Sequence, residues 1–142
     1  MDERRHRYKQ IEHTADAGIQ VFGATLGELF ENAAFGLFDI IGDLERVEAG
    51  LERAVSVTAT DLEALLVAWL SELNFLFQTE REIYNEFRVT RIDQAELSAV
   101  VGGEKLDLSR HEIYTEVKAV TYHQLYVKQT AAGWEAQVIF DL

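Results

Sequence analysis

The stretch TDLEALLVAWLSELNFLFQTERE constrains this chain more than any other. Leu62, Leu65, Leu66, Trp69, Leu73, Leu76 and Phe77 recur at helical spacing and make one wide apolar face. A helix with that much apolar surface has to be covered, so the spacing predicts the main core helix of a layered fold. Thr60 and Glu63 stand in capping-box register at its start. A Trp and aromatic stripe at this period belongs to packing rather than to a cofactor box. Glu and Asn interrupt the run, and no stretch is long and apolar enough to span a bilayer.

A second segment, TLGELFENAAFGLFDIIG, repeats the pattern. Thr25 and Glu28 form a capping box, and Leu26, Leu29, Phe30, Ala33, Leu37 and Ile40 or Ile41 follow at helical spacing. Gly42 stands where a left-handed C-terminal cap belongs. The rest reads as strands: RYKQIEHT, GIQVFG, LERAVSVTA, YNEFRVTRID paired with AELSAVVGG, EIYTEVKAVT, HQLYVKQ and GWEAQVIFDL. VVGGEK is expected to be a hairpin turn, and QTAAGWE, with Gly133, a second hairpin. In the closing strand Trp134, Ala136, Val138, Phe140 and Leu142 share one face; Glu135, Gln137, Ile139 and Asp141 share the other. Helices set among runs of strands, without regular alternation, predict an α+β fold. The expectation is a single compact domain over residues 1–142, with a mixed, mainly antiparallel sheet and two packed helices.

Charge narrows the function. Thirteen Lys and Arg against 25 Asp and Glu give a net charge of −12. A free-standing nucleic-acid binder needs a basic footprint. Any role in nucleic-acid metabolism is therefore expected to be indirect, through a protein partner or a metal. The chain has no Cys, which excludes a disulfide framework and a thiolate site. The charged start MDERRHRYKQ is no signal peptide, and the expected location is cytoplasmic.

Three places can carry chemistry. The HTADAG loop crowds His13, Thr14 and Asp16 between apolar strands; the competing reading is a turn in which Asp16 caps its own backbone amides. At the other end, Asp141 and the Leu142 carboxylate are two hard oxygen donors one residue apart, and Ca²⁺ or Mg²⁺ takes clustered oxygens. If the last strand lies beside the HTAD loop, the three carboxylates can share one ion, and a tail beyond Leu142 would displace one of them. The competing reading is a solvated terminus. In EVKAVTYH, Tyr114, Glu116 and Lys118 are expected to face one way and Val117 and Ala119 the other; an ordinary charged outer face fits equally. His123 reads as a surface or hydrogen-bonded histidine. The chain has no Walker-type Gly-Lys-Ser/Thr loop, no G-x-S-x-G elbow and no H-E-x-x-H.

Taken together, EHTADAGI, the two helices, VKAVTYHQLYV and the closing WEAQVIFDL resemble the archease family, in family order and over essentially the whole chain. Ala17 stands where the family often has a larger aliphatic residue. The resemblance implies an accessory protein rather than an enzyme. Its partner would be an RtcB-type RNA ligase, which joins RNA ends, notably in tRNA splicing, through a GTP-dependent, metal-assisted guanylylation. The accessory protein promotes guanylylation and repeated turnover; GTP is consumed by the ligase, and RNA is met only through it. Carried onto this sequence, the family's metal site implies Asp16, Asp141 and Leu142 as ligands of a divalent ion, Ca²⁺ first, with Mg²⁺ or Mn²⁺ as alternatives. Lys118, His13 and Asp39 are implied for the partner-activating surface. A chaperone-like or scaffolding module and a small metal-dependent phosphate-ester enzyme are the other classes the sequence leaves open.

Overall fold

The computed structural model of the protein describes residues 7–12 and 16–142. The elements in order are β1 (Tyr8–Glu12), β2 (Asp16–Gly23), α1 (Leu26–Ile41), a 3-10 turn (Leu44–Arg46), β3 (Leu51–Thr58), α2 (Leu62–Thr79), β4 (Glu82–Ile92), β5 (Glu96–Lys105), β6 (Ala119–Thr130) and β7 (Gly133–Asp141). They form a four-stranded sheet, β1-β2-β7-β6, and a three-stranded sheet, β3-β5-β4. Every pairing is antiparallel. The α+β expectation holds, with the expected sheet resolved into two.

Each helix touches both sheets. α1 lies against β2 and β4, and α2 against β3 and β6. One continuous core results, in which Leu65, Leu66, Trp69, Leu70 and Leu73 of α2 meet Phe30, Leu37 and Phe38 of α1. Trp69 is fully buried and its indole N–H donates to the Phe30 carbonyl at 2.9 Å, so the largest side chain leaves no orphan donor. The Phe38 ring meets Phe77 and Tyr84 edge-on and stacks on Phe87.

The structure changes several local expectations. α1 starts as expected: the Thr25 hydroxyl accepts from the Glu28 N–H at 3.1 Å. α2 starts one residue later than Thr60. Its cap is Asp61, whose carboxylate accepts from the Ala64 N–H at 2.8 Å. An ionised oxygen beside a helix N-terminus outcompetes a hydroxyl. Gly42 is not left-handed; its φ of −162° is extended. A side chain there would come within 2.7 Å of the Glu112 carbonyl, so the glycine admits the segment that crosses the end of α1.

EIYTEVKAVT is not a strand of its own. Residues 112–118 make one bridge, Gly42 to Ile113, before β6 begins at Ala119. Their backbone groups are used elsewhere: the Tyr114 N–H donates to the Ile41 carbonyl at 2.7 Å, and the Asp43 N–H to the Glu112 carbonyl at 3.0 Å. HQLYVKQ continues that same β6 after a wide bulge. Register is lost between Thr121 and Tyr126, and Gln124 has a φ of 53°. VVGGEK is likewise no turn. Gly102 and Gly103 lie inside β5 beside a β4 irregularity, where a side chain on Gly103 would reach the Ile83 carbonyl. The β4–β5 turn is made by Asp93, whose carboxylate takes the Ala95 and Glu96 N–H groups.

Candidate functional site

The first strand after the HTAD motif and the last strand of the chain are neighbours. Core matching places them: Ala17, Ile19 and Val21 of β2 pair with Phe140, Val138 and Ala136 of β7, and all six are buried. Once those faces turn inward, Asp16 and Asp141 fall on the outer face. The register pairs them directly. A slip of one residue would drive both carboxylates into the core, so the hydrophobic pattern fixes the pair. Directly opposed side chains on one face stand roughly 4.5–5.5 Å apart at Cβ. Gly18 belongs to this arrangement rather than to a turn. It lies inside β2 and Ile139 leans across it; a Cβ on Gly18 would sit 2.6 Å from Ile139 Cδ1.

Two more expected residues join the pair. Leu142 is half-buried and packs its side chain on the core, in line with the inward face of β7. Lys118 is exposed, and its backbone N–H donates to the Asp141 carbonyl at 2.8 Å. The next residue, Ala119, pairs with Asp141 in the β6–β7 ladder. One observed break with the expected alternation is that Ala119 is exposed while Val117 is fully buried. Asp39 lies in α1, half-buried, and its carboxylate accepts the Tyr8 hydroxyl. His13 lies outside the described residues. His123 is exposed in the β6 bulge, where its N–H donates to the Thr121 hydroxyl.

Among the described residues no three His, Cys, Asp or Glu side chains converge into a metal-binding group. The third donor implied with Asp16 and Asp141 is the main-chain carboxylate of Leu142. What the side chains do supply fits a hard cation. Two carboxylates face each other across a ladder, like charges so placed destabilise a sheet, and oxygen donors are what such an ion takes.

Sequence reading missed two charged clusters on the other sheet. Glu82 is buried and bonded by Arg53 at 2.8 and 2.9 Å, by the Tyr84 hydroxyl, and approached by Lys105 at 3.5 Å. The Arg53 bonds hold the Glu82 carboxyl at about 2 against the cost of burial. Burial together with Glu82 pushes the Tyr84 hydroxyl upward. Glu104 takes Arg110 through both oxygens, the Glu48 N–H at 2.7 Å and His111 Nε2 at 2.7 Å. Arg110 is the main cause that lowers Glu104 to about 2. His111 Nδ1 accepts the Asp107 N–H at 2.9 Å, which places the ring proton on Nε2, facing Glu104. Alternating charged residues along β4 and β5 gave no sign of these partners, because they come from different strands and a later loop.

Comparison with known proteins follows the same lines. Residues 8–142 match the model of the archease protein family (MTH1598/TM1083). The archease of Methanosarcina mazei is 43% identical over 146 residues, covering 100% of both chains. That of Thermococcus gammatolerans is 43% identical over 141 residues, covering 96% of this chain and 99% of its own. Among solved structures, protein 1598 of Methanobacterium thermoautotrophicum superposes with a TM-score of 0.81 at 37% identity, covering 95% of this chain and 98% of that one. An archease of Thermotoga maritima, described as a possible chaperone, shares the fold with a TM-score of 0.64 at 22% identity, covering 96% and 98%. With a matching family model over nearly its whole length and relatives of this identity, the chain belongs to the archease family.

Proposed function

We propose that this protein is a non-catalytic activator of an RtcB-type, GTP-dependent RNA ligase, acting in tRNA splicing or RNA repair. The observation that carries the reading is the register that sets Asp16 opposite Asp141 with Lys118 tied to the same residue. In this reading Asp16, Asp141 and the Leu142 carboxylate hold a divalent cation, Ca²⁺ or in its place Mg²⁺ or Mn²⁺. The cation supplies positive charge to a phosphate-rich site. The protein's own residues position it: β2 and β7 present the carboxylates on a rigid ladder, and Lys118 offers a cationic side chain next to them. Lys118, Asp39 and His13 make up the surface that meets the ligase. A net charge of −12 favours docking on a basic partner and disfavours direct contact with RNA. Among the described residues no helix is long and apolar enough to cross a membrane.

Reconstituted ligation with a cognate ligase, GTP and excess RNA tests this. The wild-type protein should raise ligase guanylylation and allow repeated turnover; Asp16→Ala combined with Asp141→Ala should abolish both. Full stimulation by the double variant would overturn the reading. Adding a few residues after Leu142 moves the free carboxylate and should weaken cation binding, as expected when the count of charged oxygen ligands falls by one.

Exposed large apolar side chains favour a second reading. Phe75, Leu108, Tyr114 and Tyr122 are 56%, 66%, 57% and 64% exposed, which suits a chaperone-like or scaffolding module. Such a module would protect unrelated aggregating clients and would ignore changes at Asp16 and Asp141.

A further inference from the structure

The helix α2 face that builds the core contains one residue that does not suit it. Asn74 lies among Leu70, Leu73 and Phe77, only 7% exposed. Its side-chain N–H donates to the Val117 carbonyl at 2.9 Å. Among the described residues its Oδ1 is buried with no hydrogen-bond partner. A leucine there would match its neighbours and leave no polar atom stranded, so the core gains nothing from the amide. One turn further on, Gln78 donates to the same Val117 carbonyl at 2.8 Å. Two side-chain amides at positions i and i+4 of one helix therefore converge on a single backbone oxygen.

That oxygen precedes Lys118. Val117 is fully buried, the Lys118 N–H is bound to the Asp141 carbonyl at 2.8 Å, and Asp141 pairs with Asp16. Among the described residues, the segment that reaches this point has no strand partner of its own apart from the Ile113 bridge. The peptide linking Val117 to Lys118 is thus gripped from both sides, by α2 at its carbonyl and by β7 at its N–H.

We infer that Asn74 and Gln78 are positioning residues for the carboxylate tip: together they lock the Val117 carbonyl and thereby set Lys118 against Asp141. The inference rests on the proposed reading of the tip and adds the device that holds it. Neither residue is among the proposed ligands or the proposed partner-facing residues. Gln78 is exposed and contributes little to the core, so its polar end can be changed without disturbing the fold.

The test uses the full chain in three single variants: Gln78→Met, Gln78→Lys and Asn74→Leu. Asn85→Ala serves as control, since it removes a similar amide bond, to the Val47 carbonyl at 2.9 Å. Three quantities are read: amide hydrogen exchange of Lys118, Ca²⁺ affinity by titration with the metal alone, and stimulation of the ligase. Gln78→Met should speed Lys118 exchange about fivefold, the worth of one ordinary hydrogen bond. Ca²⁺ affinity and stimulation should fall with it. Asn74→Leu should act in the same direction while keeping or raising the thermal midpoint. Gln78→Lys restores a donor on a long stem and should recover the wild-type values. Asn85→Ala should leave Lys118 exchange unchanged. Wild-type Lys118 exchange in both Gln78→Met and Asn74→Leu would overturn the lock. Faster exchange with wild-type Ca²⁺ affinity and stimulation would overturn the positioning role. A wild-type protein that fails to stimulate the ligase would instead sink the proposed function, and the Lys118 exchange rates would still decide on the lock.

Discussion

Two sets of carboxylates, one on each sheet, are arranged in opposite ways. In the three-stranded sheet Glu82 and Glu104 are each set against an arginine, with a tyrosine or histidine completing the contact. In the four-stranded sheet Asp16 is set against another aspartate. The first arrangement neutralises charge inside the fold. The second sets two like charges opposite each other at one end of the β2–β7 ladder, where they work against the fold and suit an incoming cation or basic partner. If the proposed function holds, stability and function belong to different carboxylates, and substitutions can separate them.

The largest expected effect on the fold comes from Glu82→Gln. Removing the charge strands Arg53 and should cost about 2–3 kcal/mol, below the ~3–5 kcal/mol of a fully buried pair because Arg53 keeps water contact. The midpoint of urea unfolding measures it, and ligase stimulation per folded molecule should be unchanged.

Acid provides the next contrast. Glu82 and Glu104 are held at about 2 in the folded protein, against 4.5 for a free side chain. Their contribution is fully present above pH 4.5 and is lost as the pH falls from there through about 2. Unfolding free energy should decline over that window, and Glu82→Gln should flatten the decline. A slope that survives the substitution would shift the burden to other carboxylates.

The smallest effect on stability is expected at the tip. Asp141→Asn removes one of two facing like charges, so the unfolding free energy should stay the same or rise by less than about 1 kcal/mol. Ca²⁺ affinity and ligase stimulation should both fall. A clear loss of stability there would erase the contrast between the sheets.

The helices were legible because their core faces repeat over several turns, as Leu62 to Phe77 shows, and a long periodic pattern outweighs local noise. Their ends were less so. Thr60 and Asp61 both qualify as caps, and only the competition between hydroxyl and carboxylate decides. Residues 112–118 looked like a strand because they alternate, yet the Glu112 carbonyl goes to Asp43, the Tyr114 N–H to the end of α1 and the Val117 carbonyl to α2, and a strand is met at Lys118, whose N–H reaches Asp141 of β7. Asp16 and Asp141 were legible as oxygen donors, but their meeting was not. It depends on pairing between an early and a late strand, which is set by the joint burial of Ala17, Ile19, Val138 and Phe140 rather than by any motif. The lock on Val117 was hidden for the same reason: it joins a helix to a loop far along the chain.

The pairing of β2 with β7 also has a consequence in time. Asp16 leaves the ribosome early and Asp141 late, and everything between them has to fold or wait before the two can meet. A growing chain carries Asp16 without Asp141, and a misfolded chain carries both unpaired; neither has the tip. The tip exists only in molecules in which β2 and β7 have paired, so a partner that responds to it responds to folded copies alone.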